Sequence, residues 1–176
     1  AEVFITASNS KLLSGELATY LTGRFYTIEI LPFSFCELVD AEKTLDEQLL
    51  DYIKMGGMPG IFKRDCDNSL TTKTHLMDVY DTVLLREIVK RYNIRDVSLL
   101  RQFMCYMMDN VSQVFSVGTV TRHLQSEGRK LSKETIYKYF LAAKAAYLIY
   151  GVPRYDIKRK VILKTNEKFF INDVGF

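Results

Sequence analysis

Two clusters of cations near the end of this sequence have the spacing a phosphate backbone would need. Tyr137 and Lys138 follow Lys133 by four and five residues, about one helical turn along one exposed face, and Arg129 and Lys130 lie just before them. Lys158, Arg159 and Lys160 are consecutive, with Arg154, Lys164 and Lys168 nearby. Such side chains neutralise phosphates and release condensed counterions, an attraction that is strong but blind to sequence. Residues 116–176 hold 12 Lys and Arg against 5 Asp and Glu, whereas residues 1–115 hold 12 against 16. The two parts therefore carry +7 and −4, which points the basic part toward a polyanion, most simply nucleic acid. A charged hairpin also serves solubility or docking onto another protein, so the pattern leaves those readings open.

Other chemistry has less to build on. His75 and His123 stand alone, with no HExxH pairing. Cys36, Cys66 and Cys105 are odd in number and about 30 to 40 residues apart, matching neither a disulfide framework nor zinc-ligand spacing. Asp173 could offer a carboxylate to a divalent metal, but no acidic partners lie close in sequence, so no metal site is expected. Asn9, at the end of an apolar run, could position a water near a γ-phosphate, and Arg24 could stabilise transferred charge. Each is as readily a turn residue or a surface charge.

The elements that must position these groups follow from periodicity. Val3–Thr6 reads as a buried strand, Lys11–Leu21 as a helix capped by Ser10 and stopped at Gly23, and Phe25–Leu31 as a second extended segment. Apolar positions at three- and four-residue spacing predict helices over Leu45–Met55, Leu70–Tyr92 and Val97–Val111. In Gly56-Gly57-Met58-Pro59-Gly60 the glycine pair supplies a left-handed cap and Pro59 is expected to prevent the helix resuming. No Lys-Ser or Lys-Thr follows, so this is not a phosphate-binding loop. A short helix from Phe115-Ser116 to Gln125, a turn at Gly128, a helix from Ser132 to about Ile149, and strands Leu148–Tyr155 and Val161–Asn172 complete the chain. That order is the one of a winged helix-turn-helix. Its second helix would present Lys133, Glu134, Tyr137 and Lys138 outward and bury Ile136, Tyr139, Phe140 and Ala143.

Several strings carry a family resemblance. Phe4-Ile5-Thr6-Ala7-Ser8-Asn9-Ser10-Lys11-Leu12-Leu13, Leu21-Thr22-Gly23-Arg24 and Leu31-Pro32-Phe33-Ser34-Phe35-Cys36-Glu37 resemble the latter part of the core in prokaryotic AAA-type P-loop ATPases. Tyr52-Ile53-Lys54-Met55-Gly56-Gly57-Met58-Pro59, Tyr80–Ile88, Tyr147–Tyr150, Pro153–Asp156 and Phe169–Gly175 resemble the C-terminal region those ATPases carry. The resemblance implies that Asn9 occupies the sensor position after a core strand and that Arg24 is the arginine after the next helix. It implies ATP and Mg²⁺ for an intact parent. The family's GxxxxGK loop, followed by Ser or Thr, and its acidic Walker B strand are absent from these 176 residues. The chain alone should hold no cofactor and hydrolyse no ATP. The family also continues beyond the position matching Asp173 into a nuclease-like region.

The expected fold is therefore α+β and mainly helical. It comprises an ATPase-core remnant (1–36), a helical connector (37–113) and a winged helix-turn-helix (114–176), together a fragment of a longer ATPase. Expected partners are DNA or, alternatively, a protein or the parent's own ATPase core. No apolar run reaches the roughly 20 residues of a membrane span, and Ala1-Glu2-Val3-Phe4 lacks a basic leader, so a cytoplasmic location without membrane contact is expected.

Overall fold

The computed structural model describes residues 4–6, 24–62 and 69–176. Helices α1 (Phe35–Leu38), α2 (Leu45–Met55), α3 (Pro59–Phe62) and α4 (Ser69–Thr82) come first, and α4 runs on into a π-helical segment, Val83–Lys90. Then follow α5 (Val97–Asp109), α6 (Val117–Ser126), α7 (Lys133–Ala145) and an antiparallel pair, β1 (Ile149–Asp156) and β2 (Val161–Ile171). The architecture is α+β and mainly helical, as the periodicity predicts.

Helix ends sit where polar side chains can take the free N–H groups of a first turn. Asp96 accepts from Leu99 N at 2.8 Å to open α5, Ser116 from Thr119 N at 3.4 Å to open α6, and Ser132 from Thr135 N at 3.3 Å to open α7. At the other end of α2, Gly56 takes φ 72° and donates to Tyr52 O at 2.8 Å. Helices α5, α6 and α7 then bury one face each. Leu100, Phe103, Met104 and Met107 of α5, Val120 and Leu124 of α6, and Ile136, Phe140 and Ala143 of α7 meet in one core with Phe169 of β2. Phe115 stacks on Phe140 with ring centroids 3.7 Å apart, and Phe169 meets Phe115 edge-on at 6.4 Å. Leu84 and Ile88 of the π-helical segment join the same core, each fully buried. Burying each such side chain contributes roughly 1.5–3 kcal/mol.

The hairpin pairs Ile149 with Ile171 and Asp156 with Val161, with an irregularity between Val152 and Arg154. Pro153 lies there and has no N–H to give the ladder. A bridge from Val114 to Lys168, with Phe115 N donating to Glu167 O at 2.9 Å, adds a short third strand on the far side of β2.

Four expectations need correction. Residues 4–6 form no strand, and Phe4 and Ile5 are exposed. Residues 25–31 are likewise unpaired, with Tyr26, Ile28 and Ile30 almost wholly exposed. β-Propensity is high in both segments, but a strand exists only where a neighbour takes its N–H and C=O groups, and among the described residues none does. Pro59 does not prevent a helix; it begins α3, where its missing N–H costs nothing. Helix α7 stops at Ala145, not near Ile149, because Tyr147 turns to φ 56° and sends Ile149 into β1. The helix expected over Lys11–Leu21 lies outside the described residues.

Candidate functional site

Helices α6 and α7, the turn between them and the hairpin bring most of the candidate cations onto one module. Along α7 the faces separate as the spacing predicts. Ile136, Tyr139, Phe140 and Ala143 are buried, whereas Lys133, Glu134, Tyr137 and Lys138 are exposed on its first turns. Glu134 is held below its ordinary carboxyl value by a hydrogen bond from Ser132, its own backbone and neighbouring Lys133, so it stays anionic beside the lysines. Lys130 is exposed in the turn after Gly128, which takes φ 84°.

Arg129 is placed differently from its neighbours. Its Nε donates to Gln102 Oε1 at 2.8 Å and its Nη2 to Ser98 Oγ at 2.7 Å, so the guanidinium is tied down onto α5. Arg129 thus joins the inter-helix turn to the preceding helix.

The hairpin tip is shaped by Asp156, whose Oδ1 accepts the backbone N–H groups of Lys158 and Arg159, each at 3.0 Å. Lys160 completes the reversal at φ 51°. This leaves Lys158, Arg159 and Lys160 projecting into solvent, with Arg154 exposed on β1 and Lys168 on β2. Arg159 Nε lies 4.0 Å from Asp156 Oδ2, a loose and exposed contact that holds the side chain little. The same hairpin also exposes Val152, Tyr155, Ile157 and Ile162. The Lys164 side chain lies outside the described residues. At its base, Lys144 Nζ of α7 lies 2.7 Å from Glu167 Oε2 and over the Phe140 ring, fixing the hairpin to the helix.

Of the two candidate nucleotide-sensing residues, Arg24 is exposed in a bend and Asn9 lies outside the described residues. Among the described residues, no three His, Cys, Asp or Glu side chains converge as a metal site would need.

One junction is invisible to motif reading. Asp173 is buried, and its carboxylate accepts from Gly57 N at 2.9 Å and from Gly175 N at 2.7 Å. Gly57 O in turn accepts from Phe33 N at 2.8 Å, and Tyr52 Oη donates to Phe33 O at 2.9 Å. Three distant segments, around Phe33, Gly57 and Asp173, therefore meet at one point. Glycine is required for that approach. A Cβ on Gly57 would stand 1.9 Å from Phe33 O, one on Gly56 1.8 Å from Asp173 Oδ1, and one on Gly175 2.6 Å from Met55 O. Burial pushes the Asp173 carboxyl up, against the two backbone N–H groups that pull it down. The signals available in sequence were the glycine pair and the Asp-Val-Gly string; nothing local says that they touch.

Comparisons with known proteins bear on both parts of the chain. Residues 1–39 match the family described as AAA domain. An uncharacterized protein of Haemophilus influenzae is 36% identical over 180 residues, covering 99% of this chain and 44% of its own length. An uncharacterized protein of Methanocaldococcus jannaschii is 32% identical over 173 residues, covering 91% of this chain and 39% of its own. The chain thus spans about two fifths of the length of these relatives. No solved structure matches. Residues 46–176, from the second residue of α2 through the hairpin and the Asp173 junction, match one further family, and the chain belongs to it: Domain of unknown function (DUF8612).

Proposed function

We propose that residues 114–176 are a winged helix-turn-helix that binds duplex DNA and is carried by an AAA-type ATPase. In this reading α7 enters the major groove and the β1–β2 tip is the wing that follows the phosphates. The observation that carries it is the division of α7. Its inward face is fully committed to the core, while Lys133, Tyr137 and Lys138 stand exposed on its first turns, where a recognition helix meets base edges. Lys130, Lys158, Arg159, Lys160 and Arg154 supply phosphate contacts around it, and Arg129 serves by fixing the turn to α5. The match of residues 1–39 to an AAA domain supports nucleotide sensing by Asn9 and Arg24 in a longer protein. ATP and Mg²⁺ would need a phosphate-binding loop and an acidic strand that these 176 residues lack, so no step of hydrolysis is assigned to them.

Duplex binding followed by fluorescence anisotropy at several salt concentrations tests the reading. Each phosphate contact steepens the dependence of log affinity on log salt by about 0.9. Replacing Lys158, Arg159 and Lys160 by Ala together should therefore flatten that slope by roughly 2 to 3. Absence of salt-dependent binding at low ionic strength, or a slope unmoved by the triple substitution, refutes it.

A second reading, that the module docks on a protein or on the ATPase core itself, is favoured by one observation. The wing exposes Val152, Tyr155, Ile157 and Ile162 among its cations, more apolar surface than phosphate contact requires.

A further inference from the structure

A cleft of about 880 Å³ lies between α2, α4 and α5, lined by none of the basic module's candidate cations. Its walls are mostly apolar: Met55, Leu76, Met77, Tyr80, Met108 and Phe176. That size and lining suit a small organic ligand. Three of the chain's six methionines line it, and their unbranched, polarizable side chains adapt to ligands of varied outline.

Thr72 in this cleft is anomalous. A helical threonine commonly donates to the carbonyl four residues back. Thr74 does so to Leu70 O at 2.9 Å, and Thr121 to Val117 O at 2.7 Å. Thr72 Oγ1 has no hydrogen-bond partner among the described residues, although the residue is only 3% exposed. That hydroxyl is also closed to solvent, so it marks a costly spot in the cleft wall and not a contact open to a ligand. Lys54 and Lys73 line the same cleft, and neither has an ion-pair partner among the described residues. Asp51, also at the cleft, leaves the lining with a net charge of +1. Tyr80, whose hydroxyl burial pushes up to about 12, remains protonated at neutral pH.

We infer that this cleft binds an amphipathic organic anion, an apolar body carrying a carboxylate or phosphate head, through Lys54 and Lys73. The body would pack on the methionines, Leu76 and the Tyr80 and Phe176 rings, which lie 5.9 Å apart.

The probe is decanoate, titrated into the whole chain carrying ¹³C-labelled methionine methyl groups, with 1-decanol and acetate as controls. Decanoate should shift the Met55, Met77 and Met108 methyls saturably and leave those of Met104 and Met107, which lie in the core, in place. Acetate should give no saturable shift, and decanol should bind about tenfold more weakly for want of a charged head. Lys54→Ala with Lys73→Ala should weaken decanoate by a similar factor. Thr72→Val should leave decanoate affinity in place while raising the melting temperature of the ligand-free chain, since it removes a buried hydroxyl that has no partner among the described residues. Equal binding of decanol, shifts spread over all six methionines, or an affinity unchanged by the paired lysine substitution overturns the inference. So do concentration-dependent methyl shifts without ligand, which would make a second copy of the chain the occupant.

Discussion

Replacing Asp173 by Ala removes a side chain that hydrogen-bonds the Gly57 loop to the segment after the hairpin. Two backbone donors lose their acceptor, Gly57 N at 2.9 Å and Gly175 N at 2.7 Å. Gly57 is buried and bears the full desolvation cost, whereas half-buried Gly175 can recruit water. At about 1–3 kcal/mol for a buried donor and less for the second, the gross loss is about 2–4 kcal/mol. Removing a carboxylate that burial disfavours offsets part of this at neutral pH. The offset has a definite pH dependence. Because burial raises the folded value above the ordinary 3.8, the folded state holds the proton over a range where the unfolded state has lost it. The stability from Asp173 is therefore complete below 3.8 and falls as pH rises through the folded value. Urea unfolding of both proteins between pH 4 and 7 reads it directly. The advantage of wild type over Asp173→Ala should be largest at the acid end and shrink with rising pH. An advantage that grows with pH would show that the two N–H groups outweigh burial, and one below about 0.5 kcal/mol throughout would show that the junction does not stabilise the fold.

Two glycine substitutions should act with opposite sign. Gly128→Ala puts a Cβ at φ 84° with no atom within 4 Å, so only the backbone conformation is penalised, by about 1 kcal/mol, whereas Gly118→Ala, within α6 and nearest to Ser116 Oγ at 4.0 Å, should stabilise by about 0.5–1 kcal/mol. Phe140→Ala removes a fully buried ring stacked on Phe115 and should cost about 3–5 kcal/mol in denaturant unfolding. Arg129→Ala breaks both hydrogen bonds to α5 and should destabilise by roughly 1 kcal/mol, yet leave the salt slope of DNA binding in place, because its guanidinium is occupied by Gln102 and Ser98.

The parts of this chain that sequence makes legible are those whose signals are local. Leu45–Met55 shows its bounds because a glycine cap and a helical repeat lie within one stretch, and Ser116 and Ser132 mark helix starts for the same reason. The end of α7 was misread because Leu148 and Ile149 continue an apolar pattern that serves helix and strand alike, while the actual break falls on Tyr147, a residue that rarely takes a positive φ. Phe25–Leu31 has strand chemistry but no partner strand among the described residues, and pairing is not a property of one segment. In the candidate site, the exposure of Lys133, Tyr137 and Lys138 follows from helical spacing. The capture of Arg129 by α5 does not, since Ser98 lies 31 residues away.

The Gly57–Asp173 contact joins residues 116 positions apart. Contacts of such high sequence separation are entropically expensive to close in an unfolded chain, and they become cheap only after helices and hairpin have shortened the effective loop. The junction should therefore form after the folding barrier, making it a brake on unfolding and not a nucleus. Stopped-flow kinetics of Asp173→Ala should show faster unfolding with a nearly unchanged folding rate, so that the contact governs how long the chain keeps its native state.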